Sequence, residues 1–412
     1  MKRCGLLGRS LAHSYSPAIH AAFGGYLYDL FEVEPENLVD FMQRSDLHGF
    51  NVTIPYKLDV IPYCTELSRA AQAIGSVNTV LRRADGSLLG DNTDAYGFSS
   101  MVHRSGIDVC GKKVLILGGG GSSLTALCVM RKMNAGQIIA ISRGGENNYE
   151  NISRHHDAEV IINTTPVGMF PNTGISPVNL RDFKRLEGVL DLIYNPARTR
   201  LLLDAEEMGI LSSDGLVMLV AQARAAAELF RGEPICIDKE ITVTQMLRRQ
   251  MENLILIGMP GCGKSTVGQH LAQLSNKAFI DADHALEEAV GLTIPEIFER
   301  EGEAGFRMRE IEILKKLGRE SGLVIATGGG CVTRTENYAY LRQNGTIIFL
   351  ERDIAVLERD GRPLSQGSLQ RMYLTRMPLY NKFADIIIDN NDTQPLITAQ
   401  NIMEALHENT CD

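Results

Sequence analysis

Two stretches of the chain run in the same order from a hydrophobic segment through a glycine-rich loop to a helical pattern. The first is KKVLILGGGGSSLTALCVMRKM at 112–133, and the second is NLILIGMPGCGKSTVGQHLAQL at 253–274. A continuous apolar run that ends in glycines indicates a buried strand, and apolar residues recurring every three to four positions indicate a helix. Two such units in 412 residues predict an α/β protein that divides between them.

The residues before the first glycine loop form a region of mixed pattern. GFNVTIPYK at 49–57 predicts a strand that ends in a turn, and 76–94 predicts a hairpin with Asp-Gly at its tip. This region therefore needs a sheet of its own. A Gly-x-Pro break and a short charged helix occupy 231–252, so the main boundary is predicted near 245–252.

Charge and cysteine content narrow the possible partners. The net charge is −9, and most of it lies in the second half of the chain, so no basic face for nucleic acid is expected. The eight cysteines are scattered without a CxxC pair, which is typical of reduced thiols in a cytosolic protein. Without a long apolar run or a signal peptide, we expect a cytoplasmic protein that does not enter a membrane, and a monomer is favoured.

The first glycine loop, VLILGGGGSS at 114–123, matches the dinucleotide pattern G-x-G-x-x-G except that Ser123 replaces the third glycine. Gly118 and Gly120 let the backbone approach a pyrophosphate, which the N-terminus of the next helix would face. The following strand ends at Arg143, where an NAD site would carry an acidic residue, so the 2′-phosphate of NADP is favoured. A tight strand–helix turn and a solvated arginine remain the alternative.

Four polar residues upstream are candidates for substrate chemistry. A lysine beside a carboxylate can relay a proton to an alcohol oxygen, which suits Lys57 and Asp94. Ser14 and Ser16 lie on one face of a segment predicted to be extended, where two hydroxyls can hold a carboxylate. Taken singly, the charges are equally compatible with the surface, and the serines with a turn or helix cap.

Seven motifs together resemble the shikimate dehydrogenases over residues 3–240. They occur in the family order: HSYSPAIH, NVTIPYK, GSVNTV, GDNTDAYGF, INTTPVGM, DLIYNP and GLVMLVAQA. The resemblance implies NADPH-dependent, reversible reduction of 3-dehydroshikimate to shikimate.

The same resemblance implies roles for individual residues. Lys57 and Asp94 match the catalytic pair, and Ser14 and Ser16 match the carboxylate clamp. The residues that match substrate ligands are Thr53, Asn78, Asp94 and Gln222. Those that match the nicotinamide side of the cleft are Leu192, Tyr194 and Gly215, and Tyr194 also matches a substrate contact. The residues that match cofactor ligands are Gly118, Gly120, Gly121, Ser122, Ser142 and Arg143.

The cofactor region departs from the family between Arg143 and INTTPVGM. Ser142-Arg143-Gly144 stands where the family usually has Asn-Arg-Thr, and fewer residues follow it. A shortened helix, and perhaps a shortened strand, is therefore expected there, which puts strict NADP preference in question.

The second glycine loop, GMPGCGKS, fits the phosphate-binding pattern G-x-x-x-x-G-K-[ST]. Lys264 is expected to reach the phosphate oxygens of ATP and Ser265 to ligate Mg²⁺. The nucleotide-binding residues of this loop are Gly261, Cys262, Gly263, Lys264, Ser265 and Thr266. No guanine-reading NKxD is present, and about 160 residues suit a small-molecule kinase.

Downstream residues indicate an acidic acceptor. FIDAD at 279–283 places Asp281 and Asp283 two apart in a predicted strand, so that Asp281 can face the metal and Asp283 the acceptor hydroxyl. Arg307 and Arg376 suit a carboxylate, because guanidinium binds it bidentately. Three glycines end a predicted strand and allow close approach to a ring: Gly328, Gly329 and Gly330.

These motifs resemble shikimate kinase over residues 253–392, with GRPL and TRMPLY completing the set. The resemblance implies ATP-dependent phosphorylation of the shikimate 3-hydroxyl, with Lys264 and Asp283 as catalytic residues. Asp283, Arg307, Gly329 and Arg376 match the acceptor ligands, and Arg362 matches the arginine of the lid over ATP. Only two residues separate Arg359 from Arg362, fewer than is usual in that family. The lid segment over ATP is therefore expected to follow a different path.

The sequence therefore predicts a bifunctional enzyme of the shikimate pathway that uses NADP(H), ATP and Mg²⁺. The predicted parts are a substrate domain (1–95 and 214–243), a shortened Rossmann-type NADP domain (96–213), a linker (244–252) and a P-loop parallel-sheet kinase domain resembling nucleoside monophosphate kinases (253–412). Two alternatives stay open for the first half: an NAD-linked quinate/shikimate dehydrogenase, and a shikimate-binding module without catalysis.

Overall fold

The structure is a computed structural model that describes residues 1–11, 14–357, 369–391 and 394–408. These residues form two compact units, each with α/β architecture, which confirms the predicted class. The first unit comprises Met1–Met169, Ile175–Tyr194 and Leu201–Leu247, and the second comprises Phe170–Gly174, Asn195–Arg200 and Arg248–Asp412.

The first sheet of the first unit has six strands in the order β2-β1-β3-β5-β6-β4. The predicted hairpin is present, because β5 and β6 pair antiparallel from Thr79 opposite Asp91 to Arg82 opposite Leu88. The elements of this part are β1 (Lys2–Gly8), α1 (Ser16–Phe23), β2 (Tyr26–Glu32), α2 (Leu38–Met42), β3 (Gly49–Val52), β4 (Glu66–Leu67), α3 (Arg69–Ile74), β5 (Thr79–Arg82), β6 (Leu88–Asp91) and α4 (Asp94–Ser105).

The second sheet of this unit has five parallel strands in the order β11-β10-β9-β7-β8. Strand order reverses beside β7, and ligands of such sheets bind outside the carboxyl ends of the strands at that point. Between β8 and β9, where a shortened segment is predicted, the helical structure is limited to a 3₁₀ turn at Ile152–His155. The elements are β7 (Lys113–Leu117), α5 (Gly121–Lys132), β8 (Gln137–Ile141), β9 (Val160–Asn163), β10 (Gly188–Asp191), α6 (Arg200–Glu207), β11 (Leu211–Ser213), α7 (Leu216–Arg231) and α8 (Ile237–Met251).

Helices α4 and α7 cross at Gly97 with almost no space between their backbones. A Cβ on Gly97 would lie 2.5 Å from the carbonyl oxygen of Met218 and 2.9 Å from Cβ of Gln222. Only glycine fits such a contact. The crossing brings Gln222 close to the first turn of α4, where Asp94 lies.

The second unit is built on five parallel strands in the order β13-β14-β12-β15-β16. The central strand, β12, is buried along its whole length. Gly302 (φ 69°) breaks the long helix α11. The elements are β12 (Asn253–Ile257), α9 (Lys264–Ser275), β13 (Ala278–Asp281), α10 (Ala282–Val290), α11 (Ile294–Arg319), β14 (Leu323–Ala326), α12 (Glu336–Arg342), β15 (Gly345–Glu351), α13 (Leu369–Phe383), β16 (Ile386–Asp389) and α14 (Pro395–Glu408).

Helix α8 is longer than the short helix predicted, with 15 residues, and most of the predicted linker 244–252 is helical. Its Glu240 is fully buried. The Glu240 carboxylate accepts from Nε of Arg224 at 2.8 Å and from Nη1 of Arg104 at 3.4 Å. Burial raises the pKa of Glu240, and the two arginines oppose that rise. The start of α8 is therefore held in the first unit by a buried ion pair.

Three findings apply to the residues that the structure describes. No helix in the described ranges is long and apolar enough to cross a membrane. The same residues contain no group of three or more His, Cys, Asp or Glu side chains arranged to hold a metal ion. The seven described cysteines are free thiols, and Cys411 lies outside the described residues.

We predict that Glu240→Ala destabilises the first unit by about 1–3 kcal/mol, because it removes one of two carboxylate partners of the buried Arg224 guanidinium and leaves only the pair with Glu228. Urea titration followed by hydrogen exchange of peptides from α4 and α7 measures this loss. The matched control is Glu207→Ala, which removes an exposed pair with Arg181 and should cost less than about 1 kcal/mol. Equal losses in the two variants would contradict the proposed role of the buried pair.

Candidate functional sites

A lysine–carboxylate pair lies at the end of the first sheet. Lys57 Nζ lies 2.5 Å from Asp94 Oδ2. Asp94 is 9% exposed and begins α4, while half-buried Lys57 lies in the turn after β3. A partly exposed ammonium group that is hydrogen-bonded to a buried carboxylate can exchange a proton with a substrate oxygen. The two residues predicted as a catalytic pair are thus in contact.

Asn78 holds the second oxygen of that carboxylate. Its Nδ2 donates to Asp94 Oδ1 at 2.8 Å, and its Oδ1 accepts from the backbone N–H of Thr93 at 2.8 Å. The Thr93 hydroxyl in turn donates to Oε1 of Gln222 at 3.4 Å. Sequence reasoning missed Thr93, although it lies inside the quoted motif GDNTD directly before Asp94.

The two predicted clamp serines are not in an extended segment, so that part of the prediction is wrong. Ser16 begins α1, and its backbone N–H donates to Oγ of Ser14 at 3.2 Å, which forms a turn. The side chain of Ser16 is nevertheless buried and that of Ser14 is half-buried. Tyr15 between them packs edge-on against Tyr194, with ring centroids 6.1 Å apart.

Thr53 also lies at the carboxyl end of the first sheet. It follows β3 directly, and its backbone N–H donates to the carbonyl of Leu7 at 2.9 Å. Its side chain is half-buried.

The first glycine loop has the geometry of a pyrophosphate site. Gly118 (φ 125°) follows β7 in a conformation that favours glycine, and a Cβ there would overlap Oγ1 of Thr164. A Cβ on Gly120 or Gly121 would meet nothing within 4 Å, so a ligand can approach the backbone at the start of α5. Ser123, the departure from the pattern, donates to the carbonyl of Gly118 at 3.0 Å and closes the turn.

The remaining cofactor candidates surround this loop. Ser142 lies beside Gly119, where a Cβ would be 3.3 Å from Cβ of Ser142. Arg143 is exposed just after β8, as a ligand for a 2′-phosphate would be. Leu192 follows β10, and a Cβ on Gly215 would overlap its carbonyl. These residues therefore line the carboxyl edge of the second sheet.

The phosphate loop of the second unit joins β12 to α9. Lys264 is 5% exposed, and its ammonium donates to the carbonyls of Gly258 at 2.9 Å and Met259 at 3.0 Å. Gly261 and Gly263, with φ of 83° and 93°, take conformations that favour glycine. The loop thus folds around the lysine.

The side chains of Ser265 and Asp281, both predicted to bind the metal, are in contact. Ser265 Oγ donates to Asp281 Oδ2 at 2.6 Å, and the hydroxyl and carboxylate are both oxygen donors of the kind Mg²⁺ prefers. The strand argument for Asp283 was wrong, because β13 ends at Asp281 and Asp283 lies in the first turn of α10. Asp283 still approaches the glycines after β14, since a Cβ on Gly328 would lie 2.7 Å from its Oδ1.

Arg307 is buried against a carboxylate that sequence reasoning missed. Its Nη1 donates to Oε2 of Glu310 at 2.6 Å, and each residue is 3% exposed. Burial raises the pKa of Glu310, and Arg307 opposes the rise. Arg307 Nε and Glu310 Oε1 have no hydrogen-bond partner among the described residues. One donor and one acceptor therefore remain for hydrogen bonds to a ligand. The i, i+3 spacing in FRMRE was the available signal.

The other two acceptor glycines are in contact with the predicted arginines. A Cβ on Gly330 would overlap the guanidinium of Arg307. The carbonyl of Gly329 accepts from Nη1 of Arg376 at 2.9 Å and from the hydroxyl of Tyr380, another residue that was missed. The predicted lid arginines, Arg359 and Arg362, lie outside the described residues.

Two family models match separate parts of the chain. A model described as shikimate dehydrogenase substrate binding domain matches residues 6–80, and one described as shikimate kinase matches residues 260–407.

Similar proteins match the first part. The shikimate dehydrogenase (NADP(+)) of Clostridium perfringens (strain SM101 / Type A) is 37% identical over 261 residues, which cover 58% of this chain and 95% of that protein. The crystal structure of a chorismate mutase/shikimate 5-dehydrogenase fusion protein from Clostridium acetobutylicum is 33% identical with a TM-score of 0.57, covering 60% of this chain and 97% of the other. The shikimate 5-dehydrogenase from Thermus thermophilus, in complex with NADP(H) and shikimate, is 28% identical with a TM-score of 0.55, covering 60% and 99%.

We predict that Ser265→Ala weakens the Mg²⁺-dependent part of ATP binding about 10-fold, because the hydroxyl that pairs with Asp281 is lost. Titration with a fluorescent ATP analogue, with Mg²⁺ and with EDTA, measures that part separately. Ser275→Ala is the control, since Ser275 lies on the same helix but bonds only to the carbonyl of Leu271. The prediction is wrong if both variants keep the full Mg²⁺ effect.

Proposed function

We propose a pair of consecutive reactions for this chain, which belongs to the shikimate dehydrogenase family and carries a shikimate kinase domain as well. It is a bifunctional enzyme of the shikimate pathway. In the proposal, the first unit reduces 3-dehydroshikimate to shikimate with NADPH, reversibly, and the second phosphorylates the 3-hydroxyl of shikimate with ATP. The enzyme works as a cytoplasmic monomer on these small molecules.

The observation that best supports the proposed dehydrogenase activity is the contact of Lys57 with Asp94. Lys57 Nζ gives a proton to the substrate oxygen during reduction and takes it back during oxidation. Asp94 keeps the ammonium in position and hydrogen-bonds a ring hydroxyl, and Asn78 fixes the orientation of Asp94. The contact between these two side chains favours a catalytic first unit over the alternative of a shikimate-binding module without catalysis.

The carboxylate of the substrate is proposed to bind Ser14 and Ser16, and the ring to lie between Thr53, Gln222 and Tyr194. NADPH supplies the hydride when bound. Gly118 and the start of α5 fit its pyrophosphate, and Arg143 fits the 2′-phosphate.

The kinase reaction is proposed to rely on positioning and charge neutralisation. Arg307 and Arg376 hold the shikimate carboxylate, and Asp283 accepts the proton of the 3-hydroxyl. Lys264 stabilises negative charge on the transferred phosphoryl group. Mg²⁺, held by Ser265 and Asp281, screens the charge of the ATP phosphates when bound.

We predict that Lys57→Ala lowers NADP-linked shikimate oxidation about 10²–10⁴-fold and leaves kinase activity unchanged, because only the proton relay is removed. Lys264→Ala should lower kinase activity at least about 10²-fold and leave oxidation unchanged. NADPH absorbance and a coupled ADP assay on the same preparations measure the two rates. Loss of both activities from either substitution, in a folded protein, would contradict two independent sites.

Arg143 provides a test of cofactor choice. We predict that Arg143→Ala raises KM for NADP about 10- to 100-fold and changes KM for NAD little, because only NADP has the 2′-phosphate. Arg154→Ala is the control, since Arg154 is exposed in the same short segment between β8 and β9. Initial rates with shikimate and with quinate, each with both cofactors, also test the NAD-linked quinate alternative. An unchanged NADP preference in Arg143→Ala would rule out this role.

A further inference from the structure

An asparagine that takes no part in the proposed reactions is hydrogen-bonded to the phosphate loop of the second unit. Asn390 follows β16 directly and is 5% exposed, and its backbone N–H donates to the carbonyl of Glu351 at 2.8 Å. Its side-chain Nδ2 donates to the carbonyl of Cys262, a fully buried residue of the phosphate loop, at 2.7 Å. The end of β16 is therefore linked to the loop that follows β12.

A threonine determines which way this amide faces. Thr398, in α14, is fully buried, and its hydroxyl donates to Oδ1 of Asn390 at 2.6 Å. The opposite orientation of the amide would place Oδ1 against the carbonyl of Cys262, and two acceptors at that distance repel each other. Asn390 can therefore satisfy both neighbours in one orientation, with its NH₂ group towards the phosphate loop.

The bond to Cys262 also sets the direction of a backbone N–H. The carbonyl of Cys262 and the N–H of Gly263 belong to one planar trans peptide, so they point in opposite directions. Gly263 has a φ of 93°, and a Cβ there would lie only 3.3 Å from Nδ2 of Asn390. Asn390 thus holds the carbonyl on its own side and leaves the N–H of Gly263 facing away from it. In loops of this pattern, such N–H groups cradle the phosphates of the nucleotide.

We propose that Asn390 is a positioning residue of the phosphate loop. Thr398 orients its amide, and the amide fixes the Cys262–Gly263 peptide so that the N–H of Gly263 faces the phosphates of ATP. Asn390 itself does not contact the reacting atoms. The inference requires that this loop binds ATP, and it is independent of the acceptor named in the proposed function.

The place of this bond determines which constants change. A loop N–H that binds the α- and β-phosphates serves ADP as well as ATP. Because that contact is present both before and during phosphoryl transfer, its loss weakens nucleotide binding and changes kcat little. The acceptor glycines follow β14, a different strand, so KM for shikimate should change little as well.

The test compares Asn390→Leu with Asn337→Leu in the full chain. Asn337 is fully buried in the second unit, and its Nδ2 donates at 2.8 Å to the carbonyl of Cys331, which follows the acceptor glycines. A fluorescent ADP analogue with Mg²⁺ should bind Asn390→Leu with a Kd about 3- to 10-fold higher, and Asn337→Leu with a Kd within about twofold of wild type. In Asn390→Leu, kcat and KM for shikimate should stay within about twofold.

Thr398 provides a second test that does not depend on how well the Asn390 variant folds. Thr398→Val keeps the volume of the side chain and removes the hydroxyl that orients Asn390, so it should raise the Kd for the ADP analogue about 2- to 5-fold. Thr398→Ser keeps the hydroxyl and should leave this Kd within about 1.5-fold of wild type.

Several outcomes would overturn the inference. They are an unchanged Kd for the ADP analogue in a folded Asn390→Leu or Thr398→Val, the same increase in Asn337→Leu, or the same increase in Thr398→Ser as in Thr398→Val. The midpoint of urea unfolding shows whether each variant is folded. A wild-type chain that binds the ADP analogue but does not phosphorylate shikimate would instead refute the proposed function and leave this inference standing.

Discussion

Both sites depend on positions where the backbone must approach a neighbour more closely than any side chain permits. Gly97 lets α4 and α7 cross so that Asp94 and Gln222 come together, and Gly330 leaves room for the guanidinium of Arg307. A methyl group at either position would displace helix backbone or a buried cation. Close packing turns such a local clash into a shift of the functional group itself. The glycines therefore act on the chemistry by allowing charged groups to reach their places.

Burial of those charged groups is costly, and each site offsets the cost with hydrogen bonds. Asp94 has Lys57 on one oxygen and Asn78 on the other. Arg307 has Glu310, but Arg307 Nε and Glu310 Oε1 remain without a hydrogen-bond partner among the described residues. An unsatisfied buried donor is unfavourable until a ligand supplies an acceptor. Both oxygens of Asp94 thus have partners, whereas the Arg307–Glu310 pair keeps one donor and one acceptor that a ligand can use.

Much of this arrangement was predictable from the sequence, for reasons that differ between residues. The loop residues Gly118 and Lys264 could be predicted as phosphate-binding candidates, because phosphate binding imposes a fixed local spacing. Asp283 was placed on the wrong element, because FIDAD alone does not show where a strand becomes a helix. Thr93 and Tyr380 were missed because their partners lie far away in the chain, at Gln222 and Gly329. Local patterns predict elements and loops, but long-range hydrogen bonds require the fold.

The two proposed sites would bind the same carboxylate with different chemistry. The dehydrogenase offers hydroxyl groups, at Ser14 and Ser16, and a neutral hydrogen bond contributes about 0.5–1.5 kcal/mol. The kinase offers guanidinium groups, at Arg307 and Arg376, and a charge-assisted bond contributes about 1.5–3 kcal/mol. A reversible enzyme benefits from releasing its product easily, whereas the enzyme that consumes that product benefits from holding it firmly. In the proposed function, this difference in affinity draws shikimate from the first site towards the second by mass action alone.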